Sequence, residues 1–183
     1  AKAARTASAP FDDLDSGLIV RTCDHVDFYV HGVLLSLCST VFRDWLRQPY
    51  SPDTGSLVYT TDETSESIDN ILRFCYPFLD RPSDVLGDLD ILITTFEAAR
   101  RLGFQLLVDR ELRPALMRHV VTAPERIYAL AWAHEMGDLA RTAARATLDD
   151  PFVHCVELPE FGRIDGNKII RLLVYQHACI AAA

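Results

Sequence analysis

The sequence feature that most constrains the fold is an abrupt change of hydrophobic period early in the chain. Residues 17–23 and 27–31 alternate in part between apolar and polar side chains, and a tight turn at Asp24 suits the gap between them. Residues 33–48 then carry apolar side chains at helical spacing, in stripes broad enough to predict a well-buried helix. The pattern predicts a β-hairpin followed directly by a helix, with Ser39 capping the second half of that helix.

The next part of the chain alternates short turn-rich stretches with helical patterns. Residues 57–59 predict a brief third strand, and helical spacing indicates helices over 62–76, 89–102 and 108–121. Pro114 falls inside the last of these, so that helix is expected to start late or to bend. A hairpin plus one short strand cannot bury both of its faces alone, so flanking helices are expected to cover it, which predicts an α+β fold for this part of the molecule.

The remaining residues read as helix alone. Thr122 to Glu125 has the spacing of a capping box, which predicts a helix running to Met136, and residues 139–148 would form its partner in a helical hairpin. A last helix is expected over 168–178, with three residues facing inward: Ile169, Leu172 and Leu173. An all-α extension is therefore expected after the α+β part.

Composition excludes several classes of protein. The 183 residues are 49% hydrophobic, which is enough to build a core, and the formal net charge is −8 at pH 7. A chain of this sign repels a phosphate backbone, so direct binding to nucleic acid is not expected, and no apolar run is long enough to predict a membrane span. The five cysteines are odd in number and widely spaced, which favours a reducing intracellular compartment. Cys38 and Cys75 sit among apolar neighbours and are interpreted as small buried hydrophobes.

The sequence gives little support for catalysis. It contains no Gly-x-Ser-x-Gly and no Gly-x-Gly-x-x-Gly motif, and none of its six histidines lies three or four residues from another histidine or cysteine in a helix. No catalytic, cofactor-binding or metal-binding residue is predicted, and no cofactor is expected. A small cysteine- or metal-dependent enzyme is the least favoured hypothesis, and its candidate nucleophiles or ligands are Cys23, Cys155 and Cys179.

A protein interface is a better prediction than an active site. Large apolar side chains cluster near the loop at residues 49–56 and near a second loop end, and one or two of them exposed there would anchor a partner. The candidates for such an interface are Trp45, Leu46, Tyr50 and Phe78.

One constellation of residues is specific enough to suggest a family. The strand Leu18-Ile-Val-Arg-Thr, then Phe28-Tyr-Val-His31, then Leu34-Leu-Ser-Leu and Ser39-x-x-Phe42 together resemble the start of a BTB/POZ domain. In that family a hairpin ends in a Phe-x-x-His strand and is followed by a helical Leu, Ser and Phe pattern. The fold-signature residues are Phe28, His31, Leu34, Ser39 and Phe42. The later Ile71-Leu-x-Phe-Cys-Tyr76 is similar to the family's next helix.

The resemblance implies a domain organisation and a working mode. It predicts a flexible tail over 1–14, a BTB/POZ domain over 15–122 and a helical extension over 123–183 that is similar to the BACK helices often found after such domains. The amino-acid sequence also resembles those of BTB proteins from mushroom-type fungi. BTB/POZ domains bind proteins, so the resemblance implies a non-catalytic interaction module that pairs with itself or recruits other proteins, with cullin-3 ligase adaptor as the alternative.

Three departures from the family limit what the resemblance implies. Gly17 and Gly32 stand where the dimeric transcription-factor branch has an acidic and a basic residue, so that branch's buried charged pocket is absent. Leu46-Arg-Gln48 stands where the cullin-binding branch carries a hydrophobic-x-Glu motif. The strand and helix that some members exchange across a dimer would precede residue 15, where the short Ala-rich tail gives no sign of them.

Overall fold

The computed structural model describes residues 4–48, 57–149 and 158–182, which fall into two compact units, Ala1–Pro114 and Ala115–Ala183. The strands are β1 (Arg5–Thr6), β2 (Gly17–Arg21), β3 (Val26–His31) and β4 (Leu57–Thr60). The helices up to residue 118 are α1 (Gly32–Cys38), α2 (Thr40–Leu46), α3 (Ser65–Cys75), α4 (Ser83–Gly87), α5 (Leu89–Arg101), α6 (Gln105–Leu107) and α7 (Arg113–Arg118). The later helices are α8 (Pro124–Ala133), α9 (Gly137–Ala146) and α10 (Gly166–Ala182). The mixed α+β fold followed by helices is as the sequence predicts.

A four-stranded sheet in the order β1-β3-β2-β4 forms the centre of the first unit. Strands β2 and β3 pair antiparallel and form the predicted hairpin, with Leu18 opposite Val30 and Val20 opposite Phe28. These four side chains share one face of the sheet and are buried. The predicted third strand is also present, since β4 pairs parallel with β2.

The N-terminal residues differ from the flexible tail predicted over 1–14. Strand β1 pairs parallel with β3, and the Phe11 side chain is fully buried. Its ring lies 5.9 Å from that of Phe28 and 5.4 Å from that of Tyr76. The burial of one aromatic ring and the backbone hydrogen bonds along β3 offset the entropy of ordering these residues. A strand of two residues has no alternation by which sequence could have revealed it.

The helix predicted over 33–48 is two short helices that meet at Ser39. Ser39 has extended backbone torsions, and its Oγ accepts a hydrogen bond from the Phe42 amide at 3.0 Å, which confirms the predicted cap. The expectation that this segment is well buried was wrong. Leu35 and Phe42 are buried, but Leu37 is 74% exposed. The apolar stripe is therefore wider than the side of the helix that packs against the core.

Helices α3 and α5 follow their sequence patterns closely. Thr64 caps α3 by accepting a hydrogen bond from the Ser67 amide. Three residues of the predicted stripe are buried, Ile68, Ile71 and Leu72, and the fourth, Cys75, is half-buried. Glu63, just before α3, accepts two hydrogen bonds from Arg101 at the end of α5, at 2.6 and 2.8 Å. This ion pair joins the start of one helix to the end of the other.

The helical segment around Pro114 contains a π-helical turn, Val108–Leu112, immediately before α7. A proline has no amide hydrogen, so regular α-helical hydrogen bonding cannot continue through it. The wider turn shifts the hydrogen-bond pattern ahead of the proline. The predicted irregularity at Pro114 thus takes the form of a change in helix type.

The second unit contains the predicted helical hairpin, formed by α8 and α9. The predicted capping box was wrong, because Ala123 is the N-cap of α8 and has no side-chain hydrogen bond, while the Thr122 hydroxyl donates to the His119 carbonyl. Pro124 instead starts the helix, where a missing amide hydrogen costs nothing. The Tyr128 hydroxyl donates to the Lys168 carbonyl at 2.8 Å and ties α8 to α10.

Helix α10 is longer than the predicted 168–178 and less buried. Leu172 is 4% exposed, as expected of an inward residue, but Leu173 is 47% exposed and Ile169 is half-buried. The apolar residues of α10 are spread around the helix, so the spacing alone could not say which of them face the unit.

Candidate functional site

An apolar groove runs along the outer side of α1 in the first unit. Its volume is about 620 Å³. Two side chains of α1, Val33 and Leu37, line it and are each 74% exposed. We call this surface the α1 groove, and its lining residues are Ser16, Gly17, Leu18, Gly32, Val33, Ser36, Leu37, Arg43, Leu46, Arg47 and Leu57.

Two glycines shape the floor of the α1 groove. Gly17 has a φ of 81°, in the left-handed region where glycine is strongly favoured, and this conformation lets β2 begin directly after a tight turn. Gly32 lies under the Leu46 side chain, and a Cβ there would be in ordinary van der Waals contact with Leu46 Cδ1, at 3.4 Å. Since neither glycine carries a side chain, no charge enters the groove from these positions.

Charged residues of both signs lie on and beside the α1 groove. Arg43 on α2 and Arg47 just after α2 line the groove and are exposed, and they lie 3.7 and 3.8 Å from the Asp44 carboxylate. The turn before β2 (Leu14–Ser16) leads into the groove residues Ser16 and Gly17, and it carries exposed Asp13 and Asp15 on either side of Leu14. Leu14 is 70% exposed. Leu14 is thus exposed between two carboxylates. The groove itself has guanidinium groups along one side.

The junction between α1 and α2 fixes the orientation of α1. The Ser39 hydroxyl donates to the Leu102 carbonyl, and the Thr40 amide donates to the Gly103 carbonyl at 3.1 Å. Gly103 has a φ of 72°, and a Cβ there would lie only 2.4 Å from the Thr40 hydroxyl oxygen. The end of α5 thus holds the α1–α2 junction from inside, and the Val33 and Leu37 face points outward.

The structure separates the four residues predicted as an interface. Leu46 lies in the α1 groove and is half-buried. Trp45 is half-buried with its ring 5.2 Å from that of Tyr59, and Phe78 is 91% exposed but does not line the groove. Tyr50 lies outside the described residues.

The fold-signature residues hold the first unit together. Phe28, Ser39 and Phe42 are buried, and Leu34 is half-buried. His31 is exposed; its backbone amide donates to the Tyr76 hydroxyl at 2.9 Å, and its Nδ1 lies 3.3 Å from the same oxygen. Each of the five has a structural contact or a place in the packing of the hairpin and its following helices.

The last strand of the hairpin leads straight into two short helices, which meet at the capping residue Ser39. The Ser39 hydroxyl attaches this junction to the end of α5. The profile of the BTB/POZ domain matches residues 14–110, more than half of the chain. The chain belongs to the BTB/POZ domain family. BTB/POZ domains are protein–protein interaction modules and are generally non-catalytic. Comparison with curated proteins gives no match.

The described residues were also considered as ligands or nucleophiles, and they do not come together as a metal site. Over residues 4–48, 57–149 and 158–182, no three metal-ligating side chains come together, and no helix is long and apolar enough to cross a bilayer. Of the cysteines considered for an enzyme, Cys23 is exposed near the hairpin turn, Cys179 lies on α10, and Cys155 is outside the described residues.

Sequence reasoning missed the main features of this surface. The sequence pattern places Leu37 in a stripe that is expected to be buried and Val33 at the start of the same helical pattern, because helical spacing shows which side chains share a face but not what covers that face. Cys38 and Cys75 were interpreted as buried hydrophobes, but both are half-buried and line one cavity. They are far apart in the chain, and no spacing rule connects them.

Proposed function

We propose that this BTB/POZ chain is a self-associating interaction module, in which the α1 groove of each copy receives the Leu14 turn of the other. The observation that carries the proposal is the exposure of Val33 and Leu37 on a helix that is held rigidly from its inner side. An exposed apolar surface around a concave groove is typical of a protein–protein interface.

The charges on this surface favour a second copy as the partner. In a two-fold dimer the same patch is used on both subunits, so the patch has to be complementary to itself. Asp13 and Asp15 beside Leu14 have the charge needed to face Arg43 and Arg47 of a second copy. Leu14 then enters an apolar groove, and the exposed carboxylates lie against guanidinium groups at its edge.

The experiment is analytical ultracentrifugation of the chain and of two matched variants. Leu37→Asp places a charge in the α1 groove and is expected to weaken association by about 10-fold or more, because a buried unpaired carboxylate is costly. Val174→Asp changes an apolar residue on α10 that is 63% exposed, and is expected to leave the mass unchanged. A monomeric wild-type chain, or loss of association in Val174→Asp alone, would contradict the proposal.

Charge reversal tests the pairing itself. Asp15→Arg and Arg47→Asp are each expected to weaken association, because each brings like charges together across the two-fold interface. The double variant restores opposite charges and is expected to recover most of the affinity. If all three variants associate as the wild-type chain does, the Leu14 turn is not part of the interface.

The alternative partner is cullin-3, with the chain acting as a substrate adaptor. It rests on family analogy, and Gln48 stands where the cullin-binding branch has a glutamate. Titration of purified cullin-3 against the full chain tests it. Saturable binding that survives Leu37→Asp would support an adaptor that uses a different surface, and no binding at micromolar concentration would remove this alternative.

We propose that the helices over 123–183 are a BACK-like extension and that the BTB/POZ domain spans 15–122. We also propose that the chain works inside the cell. What supports the extension is the α8–α9 hairpin and its attachment to α10 through Tyr128. Limited proteolysis tests the boundary. A stable fragment ending near residue 122 is expected, and cleavage within 15–122 ahead of that boundary would contradict it.

A further inference from the structure

Two half-buried thiols lie together in the first unit, away from the α1 groove lining. Cys38 is the last residue of α1 and Cys75 is the last residue of α3. Both line a cavity of about 210 Å³. The ends of two separate helices thus bring together a thiol pair that does not contribute to the proposed docking surface.

The two thiols are chemically unequal. The Cys75 thiol hydrogen-bonds the Cys38 sulfur, and this bond lowers the pKa of Cys38 to about 7, against the opposing effect of burial. The same hydrogen bond and burial raise the pKa of Cys75. At neutral pH a large share of Cys38 is therefore thiolate, while Cys75 keeps its proton.

Charged side chains of both signs line the cavity that holds the pair: Arg81, Arg110 and Glu111. Arg81 and Glu111 form an ion pair, with Nη1 and Oε1 2.5 Å apart. The thiolate favoured by the hydrogen bond from Cys75 is the nucleophilic form of Cys38. A small oxidant can reach Cys38, because its side chain is only half-buried.

We propose that Cys38 and Cys75 are a peroxide-sensitive pair that closes to a reversible intramolecular disulfide. The Cys38 thiolate attacks one oxygen of hydrogen peroxide; the O–O bond breaks, and with one proton taken up the products are Cys38 sulfenic acid and water. The Cys75 sulfur then attacks the Cys38 sulfur, the S–O bond breaks, and the Cys75 proton leaves with the hydroxide as a second water. Peroxide is reduced, and the two thiols are oxidised.

Closure joins the end of α1 to the end of α3. A disulfide is shorter than a hydrogen bond between thiols, so the two helix ends have to approach slightly. Reduction by a dithiol reverses the step by thiol–disulfide exchange and restores the open pair.

The experiment treats the full chain with hydrogen peroxide, blocks the remaining thiols with iodoacetamide and maps the peptides by mass spectrometry. The expected product is a cross-linked peptide pair containing Cys38 and Cys75, lighter by two hydrogen atoms and lost after dithiothreitol. Cys23→Ser is the matched control and is expected to give the same product, because Cys23 is exposed and outside the cavity. Full alkylation of both Cys38 and Cys75 after peroxide would overturn the proposal, as would a disulfide that involves Cys23.

Two variants separate the steps. Cys75→Ser is expected to stop at Cys38 sulfenic acid, which dimedone traps, and Cys38→Ser is expected to leave Cys75 reduced. Iodoacetamide labelling of Cys38 is expected to be half-maximal near pH 7 in the wild-type chain and at higher pH in Cys75→Ala, since that variant removes the hydrogen bond that lowers the pKa of Cys38. An unchanged pH profile in Cys75→Ala would contradict the assigned role of Cys75.

Discussion

Helices α1 and α3 lie in the same unit and have similar apolar patterns, but they use those patterns differently. Helix α3 buries its apolar residues Ile68, Ile71 and Leu72. Helix α1 buries Leu35 and leaves Val33 and Leu37 74% exposed. The apolar face of α3 therefore contributes to the core, while that of α1 stays largely exposed, as the proposed docking surface requires.

We expect the apolar face of α3 to contribute far more to the free energy of unfolding than the apolar face of α1. Ile71→Ala removes a side chain that is 1% exposed and is expected to lower the free energy of unfolding by about 2–5 kcal/mol. Leu37→Ala is the matched control on α1 and is expected to change it by less than about 0.5 kcal/mol. Urea unfolding measures both, and equal losses would remove the contrast between the helices.

A second, smaller loss of stability is expected where the junction of α1 and α2 contacts the end of α5. Gly103→Ala places a Cβ 2.4 Å from the Thr40 hydroxyl oxygen and forces an L side chain to a φ of 72°. We expect a loss of about 1–3 kcal/mol in the free energy of unfolding, because left-handed torsions and a close contact add together. Gly87→Ala, at a position with open space around it, is the control and is expected to be close to neutral. A neutral Gly103→Ala would mean that the junction does not hold α1 against α5.

Ser39→Ala gives a smaller effect at the same junction. The substitution removes the cap of α2 and leaves the Leu102 carbonyl without its hydroxyl donor, so about 1–2 kcal/mol of stability is expected to be lost. Ser36→Ala is the comparison, because the Ser36 hydroxyl bonds only the Val33 carbonyl on the exposed side of α1. Thermal unfolding should separate the two variants, and equal melting temperatures would count against a special role for the junction.

The smallest effect concerns the start of α3. Asp24 accepts hydrogen bonds from the Ser65 amide and hydroxyl, at 2.9 and 2.5 Å. Burial alone would raise the pKa of Asp24, but the hydrogen bonds from Ser65 and Thr22 outweigh it and lower the pKa. The stabilising contribution is therefore complete above the unfolded-state pKa of about 3.9 and is lost as the pH falls through the lower folded-state value.

Asp24→Asn tests this sign directly. The variant is expected to be less stable at pH 7, by less than about 1 kcal/mol because the side chain is 40% exposed. The difference from wild type should shrink as the pH falls below about 4. Asp80→Asn, an exposed control, is expected to be neutral at pH 7. A gap that widens in acid would contradict the assigned sign.

Sequence predicts the elements that have strong periods and misses those defined by contact. The partial alternation of β2 and β3 and the spacing of α3 give all three elements to within a few residues, because each carries a regular set of buried apolar side chains. Strand β1 is too short to alternate, and the π-helical turn before Pro114 depends on local hydrogen bonding.

The candidate site was only partly predictable for the same reason. Leu46 was selected as an interface residue and does lie in the α1 groove, but Leu37 was assigned to the core. A period identifies the apolar side of α1, while the number of neighbouring elements decides how much of that side is covered. The groove and the thiol pair both depend on residues that only folding brings together.

Photo-cross-linking at position 33 tests whether the outer face of α1 receives a second copy of the chain. A benzophenone amino acid in place of Val33, which is 74% exposed, would react only with a surface that touches it. We expect a cross-linked dimer whose joined peptides contain position 33 of one copy and Leu14 of the other. A cross-link from the same amino acid at position 174 on α10, with none from position 33, would contradict it.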